Sequence, residues 1–295
     1  MRVFVTGAAG FIGTATTKEL LANGHQVVGL ARSDANAEAL QKMGAKVHWG
    51  TLQDLDSLQA AAADADGVIH LAFIHDFSKF AENGRIDARA IETMGSALEG
   101  TNKPLIVTSG VGMLSPGEIA TEDMMRHQPG MPRMSESAVF AFNDRGVRTM
   151  AVRLPQVHGG EGKAGFVGYL FEVARQQGVA AYVGDGGNRW SAAHRADVAK
   201  VYRLALEKGS TGRAYHAVAD EAVPMRDIAD TFARILNVET KSLTPDEAGA
   251  HFGWMAMFAG LDMPASSAKT QAELGWKPKE IGLLADIGQQ GYFTS

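Results

Sequence analysis

The chain has 295 residues, 45% hydrophobic and 21% charged, with a net charge of −5; this is the balance of a globular protein with a sizeable core and one or two domains. The acidic balance, without any Lys- or Arg-rich run, argues against a nucleic-acid partner. There is no cysteine, which excludes disulfides, thiolate catalysis and zinc–thiolate sites.

Val3-Phe4-Val5 reads as a short strand. Gly7, Gly10 and Gly13 follow at three-residue spacing, and a helical pattern then opens with Phe11, Ile12, Ala15, Leu20 and Leu21 on one side and Lys18 and Glu19 on the other. Strand, glycine turn and helix in that order are the context of a dinucleotide-binding turn. Gly7 permits the tight turn, Gly10 lets a pyrophosphate approach the backbone, and Gly13 lets the helix pack close to the strand. The helix start offers free N–H groups and positive partial charge to an anion. A glycine-rich turn without a ligand is the competing reading, and the position directly after a strand weighs against it.

His25–Ala31, Lys46–Trp49, Gly67–Leu71, Pro104–Ser109 and Val147–Arg153 read as further strands. Helices are expected at Asn36–Met43 with Gly44 as a stop, at Leu55–Ala63, from about Phe77 to Leu98, and at Arg133–Asp144 before Gly146. Alternating strands and helices, with nearly all-apolar strands, predict a doubly wound parallel sheet buried on both faces. Between Gly110 and Pro132 the pattern dissolves into Gly, Pro, Met and scattered charge, a long loop of the kind that is usually functional. Beyond it, helices are expected at 164–177, 197–207, 225–236, 245–258, 268–274 and 281–290, with strands at 179–183 and Arg213–Val218. Thr244-Pro245-Asp246-Glu247 is a capping box with Pro at the first helical position. The expected organisation is a nucleotide-binding domain over 1–155 and a smaller, mostly helical substrate lobe over 156–295, with the two interleaved. No stretch has the roughly 18 apolar residues that span a membrane, and no signal peptide precedes Gly7. A cytoplasmic protein is expected.

These residues resemble the extended short-chain dehydrogenase/reductase family, also called the NAD-dependent epimerase/dehydratase family. The resemblance covers nearly the whole chain. It rests on TGAAGFIG at 6–13, GTLQDLDSL at 50–58, VIHLA at 68–72, IVTS at 106–109, VRLPQVHG at 152–159, HRADVA at 194–199 and ELGWKP at 273–278. It implies an α/β fold, a Rossmann-type doubly wound parallel sheet with a smaller, mostly helical C-terminal substrate lobe. It implies that Gly7, Gly10, Phe11, Ile12 and Gly13 hold the pyrophosphate. Asp54 and Leu55 would border the adenine, Leu71 and Ala72 would line the path past the ribose, and Pro155 to Val157 would approach the nicotinamide. Plain core packing is the alternative for Leu71, Ala72 and Val157. A homodimer built on the helices at 77–98 and 133–144 is a further implication.

Cofactor choice follows from the end of the second strand. A carboxylate there would select NAD, but the chain reads Leu30-Ala31-Arg32-Ser33. Ala31 repels no 2′-phosphate, Arg32 offers it a fork of donors and Ser33 a hydroxyl. NADP(H) is therefore preferred, with NAD(H) possible, although Asp34 adds unfavourable charge nearby.

The family's usual reaction employs a Tyr and a Lys four residues later. Between Gly110 and Val147 the chain has neither residue. If Glu136 matches an acid common in relatives, Pro132 stands at the Lys position and Gln128 at the Tyr position, and neither can act as an acid. A positioned general acid is worth roughly 10²–10⁴ in rate. Either another residue supplies the proton, or the acceptor needs little acid help, as a quinone would, or the protein binds the cofactor without turning it over. Candidate catalytic groups are Ser109, His75 and His158, each with a structural role as the alternative. His194, Arg189 and Trp190 are candidates for the substrate pocket, and Trp254, Phe252 and Phe258 suggest an apolar pocket or, alternatively, lobe core. The histidines form no metal set. The expected activity is NADP(H)-dependent hydride transfer with a small organic carbonyl or conjugated acceptor. A dinucleotide sensor is the alternative, and a nucleotide-sugar epimerase or dehydratase ranks third.

Overall fold

The computed structural model describes residues 1–112, 114–124, 133–160, 165–289 and 291–293. In chain order the first half runs β1 (Arg2–Thr6), α1 (Phe11–Ala22), β2 (Gln26–Ala31), α2 (Asp34–Met43), β3 (Lys46–Trp49), α3 (Leu55–Ala63), β4 (Gly67–His70), α4 (Phe80–Ala97), β5 (Pro104–Gly110), α5 (Ser135–Phe140) and β6 (Arg148–Leu154). The second half runs β7 (Gln156–His158), α6 (Gly165–Gln177), β8 (Val179–Val183), β9 (Arg189–His194), α7 (Arg195–Lys208), β10 (Arg213–His216), β11 (Asp220–Pro224), α8 (Met225–Leu236), β12 (Glu239–Leu243), α9 (Pro245–Phe252), α10 (Ala256–Gly260), α11 (Ala268–Leu274) and α12 (Leu283–Ile287).

Seven strands form one parallel sheet in the order β10-β6-β5-β4-β1-β2-β3. Alternate residues of β1 feed opposite cores. Val3 and Val5 pack with Leu20, Leu40 and Tyr202 from α1, α2 and α7. Phe4 packs with Leu58, Ile91 and Val139 from α3, α4 and α5. Helices thus cover both faces, the doubly wound arrangement that apolar strands alternating with helices predict. The register aligns Val5 with Gly29 and Ile69, so the carboxyl ends of β1, β2 and β4 open together beneath the site. The order reverses between β1 and β4, which is where such sheets bind ligands.

After β6 the chain leaves the sheet and returns to it. α7 packs against α1 and β10 extends the sheet edge. The rest forms a lobe with its own core, including Phe171, Trp190, Phe232 and Phe252. The lobe holds two small sheets, β11-β9-β7 and β12-β8. Strands β7, β9, β11 and β12 are not evident in the sequence pattern. β12 is four-fifths exposed, with a burial pattern that offers one buried residue in five, so no apolar alternation marks it.

The helix expected over Arg133–Asp144 is shorter, spanning Ser135–Phe140. Its end tightens into three-residue closures, Phe142 N–H to Val139 O and Asn143 N–H to Phe140 O. Asn143 then turns its amide oxygen to the Thr149 hydroxyl, a bond that competes with helix continuation. The capping box at Thr244 and Glu247 forms in both directions, and Gly44 ends α2 in the left-handed region as expected.

Candidate functional site

A cavity of about 1760 Å³ runs from the glycine turn, along the carboxyl ends of the central strands, into the C-terminal lobe. A single small ligand commonly fills about 300–1,000 Å³, so there is room for a dinucleotide and a second molecule.

The first end is made of backbone. Gly7 has φ +68°, and a Cβ there would lie 2.8 Å from the Ala72 nitrogen. A Cβ on Gly13 would lie 1.9 Å from the Gly7 carbonyl oxygen, so the helix can start this close to the strand only with glycine. The Gly10 N–H closes the turn onto Gly7 O at 2.9 Å. α1 has no side-chain N-cap and no acid in its first turn. Its opening residues Phe11, Ile12 and Gly13 line the cavity and have no intrahelical acceptor for their N–H groups. That set of unsatisfied donors fits a pyrophosphate.

At the end of β2, Leu30, Arg32 and Asn36 line the cavity, while Ala31 is fully buried. Ser33 accepts the Asn36 N–H at 3.3 Å as the cap of α2 and is not among the lining residues. Asp54 and Leu55 also stand outside the lining. Asp54 accepts the Ser57 N–H at 3.3 Å to cap α3, and Leu55 is exposed. Leu52 and Gln53, the residues just before them, line the wall expected to border the adenine. Leu71, Ala72, Pro155 and Val157 all line the cavity.

The middle of the cavity holds Ser109 and, next to it, Arg133, a residue that motif reasoning does not single out. Arg133 donates from Nη2 to Thr108 O at 2.9 Å and from Nε to Ser135 Oγ at 3.0 Å, and its guanidinium lies 4.3 Å from the centre of the Phe73 ring. Ser135 in turn donates to Asp87 at 2.6 Å, and the other Asp87 oxygen meets His70 Nε2 at 3.1 Å. Burial pushes Asp87 upward, but the His70 hydrogen bond and charge, Arg133 and the Ser135 hydroxyl together hold it below the ordinary carboxylate value. Burial lowers the Arg133 pKa, with Asp87 as the largest opposing charge; a guanidinium stays protonated in proteins.

His75 lines the cavity with its ring 5.5 Å from that of Phe73. Its side chain opens outward, but the atoms packed around it and then the Arg133 charge hold its pKa below the ordinary value. Little imidazolium is present at neutral pH, which makes His75 a weak proton source there.

Beyond Arg133 the wall is aromatic. Phe166, Tyr169, Trp254 and Phe258 line it, with Phe166 5.7 Å from Trp254 and 5.2 Å from Phe258, centre to centre. Phe252, by contrast, is buried in the lobe core.

The other candidates lie elsewhere. His158 is buried with Nδ1 2.6 Å from Asp286, packed edge-on against His194, and it does not line the cavity. Burial lowers its pKa, and Asp286 opposes the shift. His194 accepts the Ala196 N–H at 3.2 Å as the cap of α7. Arg189 is paired with Asp262 through two nitrogens, at 2.9 and 2.6 Å. Trp190 is fully buried, its indole N–H donating to Phe258 O. Glu136 is buried and accepts two hydrogen bonds from Arg153. His127, Gln128 and Pro132 lie outside the described residues. Among the described residues no group of three or more His, Asp or Glu could hold a metal, and no helix is long and apolar enough to cross a membrane.

The sequence model of the NAD dependent epimerase/dehydratase family matches residues 3–218. An uncharacterized protein of Schizosaccharomyces pombe is 46% identical over 99% of this chain and 100% of its own length. A 2-alkyl-3-oxoalkanoate reductase of Stenotrophomonas maltophilia is 30% identical, covering 78% of this chain and 74% of that protein. A dTDP-glucose 4,6-dehydratase of Streptomyces venezuelae, solved with NAD and TYD, shares the fold with a TM-score of 0.78 at 18% identity, over 98% of this chain and 95% of its own.

Proposed function

The chain belongs to the NAD-dependent epimerase/dehydratase family, and we propose that within it the protein is an NADP(H)-dependent oxidoreductase. It transfers hydride to or from a small organic carbonyl or conjugated acceptor. The observation that carries this reading is the single cavity joining an uncapped, glycine-built helix start to an aromatic chamber, with Ser109 and Arg133 at the junction. The bound cofactor supplies the hydride or takes it up. The chain's own residues do the rest. Backbone N–H groups of α1 hold the diphosphate. Arg32 and Asn36 face the adenosine end, where β2 closes on Ala31 and none of the described lining residues there is a carboxylate. The aromatic wall orients the acceptor and keeps water away from the reacting carbon. The reductase relative supports a carbonyl acceptor, because by its name it acts on the 3-oxo group of a 2-alkyl alkanoate. A polar nucleotide-sugar substrate is less suited to the aromatic chamber.

A second reading is a dinucleotide sensor that binds without turnover. It is favoured by one observation, the absence of Tyr and Lys between Gly110 and Val147. Incubation with NADPH and a panel of carbonyls and quinones separates the two. Protein-dependent oxidation of NADPH supports the enzyme, and tight binding without oxidation by any member of the panel supports the sensor.

A further inference from the structure

Three described cavity-lining residues are arginines: Arg32, Arg133 and Arg175. Arg32 stands at the end of β2, remote from the aromatic chamber, and Arg175 is paired with Glu172. Arg133 is different. Thr108 O and Ser135 Oγ hold its Nη2 and Nε, and the Phe73 ring packs against its plane. Its Nη1 has no hydrogen-bond partner among the described residues. The Asp87–Ser135 chain fixes the guanidinium from behind, so among the described residues it is an oriented cation with one donor edge uncommitted.

We propose that Arg133 is the oxyanion donor of the reaction and that it restricts the acceptor to conjugated carbonyl compounds, quinones and enones with a flat apolar body. This rests on the hydride-transfer reading above. A guanidinium donates a hydrogen bond but keeps its proton. It stabilises negative charge as charge develops and delivers no acid. One C–H bond breaks on the dihydronicotinamide and one bond to hydrogen forms on the acceptor. The cofactor is oxidised and the acceptor reduced, with the displaced π electrons settling on the acceptor oxygen opposite Nη1. Water then supplies the proton. A saturated ketone would develop the localised charge of a strongly basic alkoxide in the transition state, which a donor that keeps its proton stabilises least well. A quinone yields a hydroquinone anion and an enone an enolate, and both spread the charge over a conjugated system, so each is a weaker base at oxygen than an alkoxide. Among the described residues, the titratable and charged groups around Arg133 are His75 after β4, Asp87 on α4, Glu136 on α5 and Tyr202 on α7. None of them is a neutral-pH acid facing the chamber: His75 is mainly neutral, Asp87 is buried behind Ser135, Glu136 is buried and paired with Arg153, and Tyr202 is fully buried.

The test measures binding and turnover together. In the wild-type protein saturated with NADP⁺, the anion of 2-hydroxy-1,4-naphthoquinone should bind at least about tenfold more tightly than neutral 2-methoxy-1,4-naphthoquinone. Equal or reversed affinity overturns the proposal without any variant. Arg133→Met should lose that preference and about 100-fold or more in kcat for 1,4-naphthoquinone, with NADPH affinity within about twofold of wild type. Arg133→Lys should keep part of the anion preference, and it serves if the Met variant fails to fold. The kcat for naphthoquinone should be flat from pH 6 to 8. A kcat that follows a single ionisation in that range, or saturated 2-decalone reduced as fast as naphthoquinone, contradicts the proposal while leaving the oxidoreductase reading intact. Failure to bind NADPH at all defeats that reading itself.

Discussion

The two ends of the cavity are built by different means. The end proposed for the cofactor is backbone: a glycine turn, an uncapped helix start and strand ends in register. The end proposed for the acceptor is side chains: Arg133, Ser109 and an aromatic wall gathered from α6, the turn after α9 and α10, held by buried polar networks. A backbone-built end leaves a local signature, because only glycine fits where it is needed. A side-chain end assembled from distant segments leaves a fainter one: Ser109, Trp254 and Phe258 stand out by residue type, and Arg133 and Phe166 do not. Such an end also depends on ionisation and on buried pairs, so the two ends should fail in different ways.

The largest effect is expected from Gly13→Val, which places a branched side chain where even a Cβ would sit 1.9 Å from Gly7 O. Backbone must move, so stability should fall by about 3 kcal/mol or more and dinucleotide binding should be lost in a direct titration. Retained affinity would show that the turn does not bind the pyrophosphate.

Next comes the acceptor end. Arg153 is 2% exposed and grips Glu136 on α5 through two nitrogens. Arg153→Met removes that grip from a buried carboxylate, at a cost of about 3–5 kcal/mol readable as a lower urea midpoint. NADPH affinity in the still-folded fraction should change far less than with Gly13→Val, which is the contrast between the two ends.

Acid should loosen the same network. His216 is fully buried, accepts from Arg153 at Nε2 and donates from Nδ1 to Ser266 O, so its bonds define the neutral ring. Burial, opposed by Glu122 and reinforced by the Arg153 charge, leaves its pKa lowered from 6.5 to about 4. Above 6.5 the ring is neutral in both folded and unfolded chains. Below it the unfolded chain takes up a proton that the folded chain refuses, so stability drops until about pH 4. The loss is on the order of 3 kcal/mol, and burial lowers His158 in the same direction. A urea midpoint that stays level from pH 7 to 4.5 would contradict this.

The smallest effect concerns cofactor choice. Arg32→Ala should weaken NADPH by about 10–100-fold, the worth of a charged hydrogen bond or two, and NADH only slightly. Equal losses would mean that Arg32 never meets a 2′-phosphate.

The sheet and its glycine turn were legible because their causes are local: apolar strands, turn glycines, and Gly44 and Thr244 as stop and start. The site was legible along its backbone-built end and, in part, at side chains: Arg32, His75, Ser109, Trp254 and Phe258 all line the cavity. Asp54 and Ser33 look like ligand-facing polar residues in the sequence but are spent on capping α3 and α2. His158 and Trp190 carry the residue types of a site, yet they point into the lobe and its seam with the sheet. Arg133 was hidden because nothing in its neighbours marks it. Its orientation comes from Thr108 and Phe73, which only the fold brings to it, and from Ser135 two residues on.

The most direct test of the account is the loss of dihydronicotinamide absorbance when the protein meets NADPH or NADH with 1,4-naphthoquinone. Protein-dependent oxidation, faster with NADPH than with NADH at equal concentration, is the predicted result. Tight NADPH binding with no oxidation of either dinucleotide, by naphthoquinone or by any carbonyl tried in its place, would contradict it.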